Sequence, residues 1–61
     1  MIEIYRFGNY VNAVDDRKQL LRWLRANIPY VTDTDMKIPK TMPDAEVMKV
    51  AKEKEFIFKV V

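Results

Sequence analysis

From Ile2 to Phe7 the chain alternates, Ile2, Ile4 and Arg6 on one side and Glu3, Tyr5 and Phe7 on the other. A second alternating run follows Gly8-Asn9 and extends from Tyr10 to Val14. A period of two marks a strand. A Gly-Asn connection between two such runs predicts a β-hairpin, because glycine takes φ > 0 without penalty and asparagine tolerates it. Gly8 is the only glycine in the chain, which adds weight to its position. With Phe7 opposite Tyr10, Arg6 faces Val11, Tyr5 faces Asn12 and Ile4 faces Ala13. One face of the hairpin then carries Ile2, Ile4, Val11 and Ala13, with Arg6 near the tip. The other carries Tyr5, Phe7, Tyr10 and Val14, with Glu3 and Asn12.

The period then changes. Leu20, Leu21, Trp23, Leu24 and Ile28 recur at helical spacing, with Lys18, Arg22 and Arg25 on the opposite side. Asp16 is placed to cap this helix, with Gln19 in capping-box position and an acid suited to the helix dipole. Asn27 and Pro29 are expected to end it, since a proline pushes the preceding residue out of the helical region. Residues 28–42 read as irregular, with short extended pieces at Tyr30–Thr32 and Met36–Ile38. Pro39 and Pro43 argue against a long central strand there. Thr41, Pro43, Asp44 and Glu46 resemble a helix start, with Thr41 as hydroxyl cap, and Val47, Met48, Val50 and Ala51 supply its buried stripe. A rival reading makes Glu46–Ala51 a strand; Ala, Glu, Met and Lys favour the helix and the two valines the strand. Phe56 to Val61 reads as a strand, with Phe56, Phe58 and Val60 on one face and Ile57, Lys59 and Val61 on the other. The sum is one α+β domain over residues 1–61. A small antiparallel sheet, the N-terminal hairpin plus the C-terminal strand, packs on one or two helices in the order ββα(α)β, with ββαββ as the alternative. No repeat or linker divides it.

Length and composition sharpen this outline. A chain of 61 residues makes one domain and buries only about 60% of its unfolded surface. Such domains lean on disulfides, metals or partner subunits. With no cysteine and no histidine, the disulfide is closed and a transition-metal site is not expected. The apolar content of 49% is far from a disordered composition. Apolar packing, or self-association, must therefore carry stability. Met1 leads directly into the first strand pattern, and no apolar run approaches the roughly 20 residues of a membrane span. We therefore expect a cytoplasmic protein without membrane contact. The compact, cysteine-free composition, dense in charge and aromatics, has the general look of a phage or mobile-element accessory protein.

The missing residue types also limit the chemistry. Without serine, cysteine or histidine, no nucleophile–imidazole constellation can be assembled. One glycine cannot build a phosphate-binding loop. Asp33-Thr34-Asp35 begins like a calcium loop, but Lys37 stands where a further oxygen ligand belongs and Ile38 where the turn needs glycine. Asp15, Asp16, Asp44 and Glu46 have capping explanations, and Met36, Met42 and Met48 suit core filling better than Cu(I). We expect no enzyme, cofactor or metal.

Two surfaces remain. The strands are apolar on both faces, and helices cover only one side of a single sheet. Tyr5, Phe7, Tyr10 and Trp23 are thus candidates for a protein interface, with a partner protein or a second copy as occupant. The row Lys18, Arg22 and Arg25, with Arg17 beside it and Arg6 nearby, is the candidate nucleic-acid face, with the hairpin aromatics available to stack bases. The net charge of +2, diluted by nine acids, makes that the lesser expectation.

Overall fold

The computed structural model describes residues 1–31 and 38–61, the side chains of Tyr30 and Val31 aside. Among them are strands β1 (Ile2–Arg6) and β2 (Asn9–Val14), helices α1 (Arg17–Val31) and α2 (Asp44–Glu53), and strand β3 (Phe56–Val60). The strands form one antiparallel sheet in the order β2-β1-β3, so the first strand lies in the middle. The fold is the small α+β arrangement that the alternation and helical spacing predict. Asp44–Glu53 is helix, which excludes the ββαββ alternative.

Both helices lie on one side of the sheet, where Ile4 and Phe56 face them. Ile4, Leu24, Ile28 and Val47 are fully buried, joined by Leu20, Leu21, Val50, Ala51 and Phe56. Each of these side chains other than Ala51 contributes about 1.5–3 kcal/mol on burial. Helix α1 packs against β2 and α2, while α2 lies against β3. Asp16 caps α1 as expected: its Oδ1 accepts from the Gln19 backbone N–H at 2.9 Å. The Gln19 side chain reaches back to the N–H of Asp15, not Asp16, at 3.1 Å.

The hairpin departs from the expected pairing. Arg6 lies opposite Asn9 and Tyr5 opposite Tyr10, so the turn residues are Phe7 and Gly8, not Gly8 and Asn9. Their φ values of 52° and 78° give positive φ at both central positions, the signature of a type I′ turn. The register then shifts between Ile4 and Tyr5, leaving Val11 as the extra residue of a β-bulge. Beyond the bulge Ile4 faces Asn12, Glu3 faces Ala13 and Ile2 faces Val14. Val14, not Ala13, therefore joins Ile2, Ile4 and Val11 on the core side. The gain is a larger apolar side chain on the buried face.

Helix α1 also runs past its expected end, with Asn27, Pro29 and Tyr30–Val31 inside it. Asn27 serves the helix instead of stopping it, its side-chain amide donating to the Trp23 carbonyl at 2.8 Å. Burial of Ile28, worth about 1.5–3 kcal/mol, offsets most of the roughly 3 kcal/mol that an interior proline costs. The remaining residues of the two expected extended pieces, apart from Ile38, lie outside the described residues. At α2 the N-cap is Pro43, and no side chain caps it, so Thr41 lacks the expected role. The Pro43 carbonyl instead accepts from Glu46 and Val47 at 3.0 and 3.1 Å. Helix α2 ends through Glu55 at φ 71°, whose N–H donates to the Lys52 carbonyl at 3.1 Å.

Candidate interaction surfaces

The side of the sheet away from the helices is built from two rows across the strands. With Ile4 pointing into the core, its neighbours Glu3 and Tyr5 point the other way. The pairing sets Ala13, Glu3 and Lys59 in one row and Tyr10, Tyr5 and Ile57 in the next. Tyr10 and Ile57 are 59% and 60% exposed. The Tyr5 and Tyr10 rings meet edge to face at 5.8 Å, a geometry favoured by the aromatic quadrupole. The Tyr5 hydroxyl donates to the Glu3 carboxylate at 3.1 Å. That bond is the main reason its phenol titrates above the ordinary tyrosine range; desolvation and the charges of Glu3 and Tyr10 add to it. Among the described residues, no helix or turn is packed over these rows.

Phe7 does not belong to those rows. It sits at the hairpin tip, 66% exposed, and the Arg6 guanidinium stacks over its ring at 4.7 Å. Arg6 also lies 5.6 Å from the Phe56 ring centre, and its Nε donates to the Lys54 carbonyl at 3.0 Å. Trp23 in turn meets Phe56 edge to face at 6.0 Å and is half-buried against the core. The four proposed interface residues therefore split. Tyr5 and Tyr10 share the open side of the sheet, while Phe7, Arg6, Phe56 and Trp23 form a chain of ring contacts along its end. Ile57 is the member of the open side that aromatic content alone overlooks; its place in the β3 alternation is the signal for it.

The basic row is likewise divided. Arg17, Lys18, Arg22 and Arg25 line, with Leu21 and Asp44, an open groove of about 480 Å³. Arg17, Lys18 and Arg22 are exposed. Arg25 is a bracket between the helices: it donates to the Met42 carbonyl at 2.6 Å and to the Asp44 carboxylate at 2.9 Å. Arg6 is at the hairpin end, away from this groove's lining. Asp15 and Asp16 are exposed next to Arg17 and dilute the local positive charge.

Among the described residues no group of three or more acidic side chains gathers where a metal ion could be held, and no helix is long and apolar enough to cross a membrane. Asp33-Thr34-Asp35, Lys37 and Met36 lie outside the described residues. Met42 and Met48 pack against the core. No family model, curated protein or solved structure matches the chain.

Proposed function

We propose that this chain is a non-enzymatic protein-interaction module of the cytoplasm, of the accessory kind encoded by phages and mobile elements, which self-associates and acts by occupying a partner's surface. The observation that carries this reading is the uncovered row Tyr10, Tyr5 and Ile57. Two tyrosines and an isoleucine offer the combination enriched at interface centres, apolar area with a polar tip. The neighbouring row pairs one acid, Glu3, with one base, Lys59. The face therefore carries no net charge to oppose a second copy. A small domain without disulfides gains stability from such a contact. Sedimentation equilibrium over a concentration series tests it: the native chain is expected to exceed monomer mass. Tyr10→Ala should shift the assembly to higher concentration while costing folding no more than about 1 kcal/mol. A chain that stays monomeric throughout and retains no partner refutes the proposal.

A second reading, weak binding of nucleic acid, is favoured by the groove that collects Arg17, Lys18, Arg22 and Arg25. Contacts of that kind release counterions, so binding would be salt-sensitive. Arg17→Glu with Arg22→Glu should abolish a gel shift of single-stranded DNA at low salt. Absence of any shift by the native chain removes this reading.

A further inference from the structure

The two edges of the sheet are not alike. On β2, the bulge at Val11 and the residues Asn9 and Asn12 break the line of backbone groups, the devices that natural sheets use against unwanted pairing. On β3 the register with β1 is unbroken from Phe56 to Val60. Its side chains are apolar except for Lys59, and it ends in Val60, 80% exposed, followed by exposed Val61.

The direction of the free backbone groups follows from the chain ends. Met1 and Val61 exchange both hydrogen bonds, at 3.0 and 3.4 Å. In an antiparallel ladder such pairs alternate with pairs that exchange none. Glu3–Lys59 and Tyr5–Ile57 are therefore the bonded pairs, and Phe56, Phe58 and Val60 aim their N–H and C=O groups away from β1. No described residue outside β1 bonds to them. An apolar, regular edge with its donors and acceptors unmet is a template for another strand.

We infer that β3 pairs antiparallel with β3 of a second copy, about a two-fold axis at Phe58. This symmetry matches the edge to itself. Phe58 exchanges both bonds with Phe58 of the second copy, and Phe56 does so with that copy's Val60. Lys59 falls opposite Ile57 of the second copy, so no like charges meet. The two sheets become one continuous sheet, in which each Tyr10–Tyr5–Ile57 row runs on into the Lys59–Glu3–Ala13 row of the other copy. A contact one strand wide is small beside the roughly 800 Å² per partner of a stable dimer, so the edge dimer is expected at micromolar or weaker affinity. The inference rests on the self-associating reading above but adds a contact distinct from the open face.

The two contacts are separated by working in Tyr10→Ala, which weakens the face and leaves β3 intact. Sedimentation equilibrium of that variant should still show a dimer at high concentration. Adding Val60→Pro, which deletes an outward N–H and spares the bonds to β1, should raise its dimer Kd about tenfold or more. A synthetic chain with an N-methylated Phe58 amide keeps every side chain and should do the same, which guards against a proline that disturbs folding. Tyr10→Ala that is monomeric at every concentration overturns edge pairing while leaving the face contact standing. So does a dimer indifferent to both backbone changes. A native chain that is monomeric throughout overturns both contacts and leaves the edge to a strand of another protein.

Discussion

Glu55 is the place where backbone strain can be removed without touching a packed side chain. It stops α2 in the left-handed region at φ 71°, and its side chain is exposed. An L-residue there costs about 1–2 kcal/mol against right-handed backbone. Glycine escapes that cost but gives the unfolded chain extra freedom worth about 0.4–1 kcal/mol. Glu55→Gly is therefore expected to stabilise the domain by about 0.5–1 kcal/mol, and at about 4–8 °C per kcal/mol for this size its Tm should rise roughly 2–8 °C. Gly8→Ala runs the same exchange backwards. At φ 78° an added Cβ meets nothing within 4 Å, so only the torsional cost remains, and Tm should fall by a similar amount. Glu55→Ala removes the carboxylate but keeps the strain, and should stay within about 0.5 kcal/mol of the native chain. Calorimetric scans of the three variants at one concentration read the comparison directly. If Glu55→Gly melts no higher than Glu55→Ala, the left-handed position is not where this strain resides and the reasoning fails.

Two further outcomes follow from the sheet. The bulge places Val14 on the core side and Ala13 on the open side, so Val14→Lys should destabilise by about 1–3 kcal/mol while Ala13→Lys stays within about 0.5 kcal/mol; urea titrations giving the reverse order would restore the unbulged register. The Tyr5 phenol, held above its ordinary value chiefly by the bond to Glu3, should titrate lower in Glu3→Gln by ultraviolet absorbance. A raised folded value means that this contribution to stability is whole below the unfolded tyrosine pKa, near 10, and is lost as pH climbs through the folded one. An unchanged Tyr5 titration in Glu3→Gln would show that the hydrogen bond is not the cause.

The elements were legible wherever one period dominated. Leu20, Leu21, Leu24 and Ile28 announce α1, and Val47, Val50 and Ala51 announce α2, because burial selects the same spacing that the backbone imposes. The end of α1 was not legible, since the rule against residues preceding proline is local and the burial of Ile28 is tertiary. The hairpin register is hidden for a related reason. Gly8-Asn9 and Phe7-Gly8 both place the glycine at a position of positive φ, and only the wider pairing favours the second. The bulge has no local marker at all; it is visible only as Val14 packed against the core. On the open side, Tyr5 and Tyr10 could be read from alternation. The departure of Phe7 toward Arg6 and the tie from Arg25 to Asp44 could not, because both depend on where distant segments come to rest.

The middle position of β1 has a consequence for synthesis. Its two neighbours lie at opposite extremes of the chain, β2 a few residues away and β3 some 50 residues downstream. On a ribosome adding about 5–20 residues per second, the hairpin is synthesised roughly 2–9 s before its second flank is complete. Until β3 reaches it β1 is itself a bare margin, and the side chains that will be innermost, Ile4 foremost, have no strand beside them on that flank.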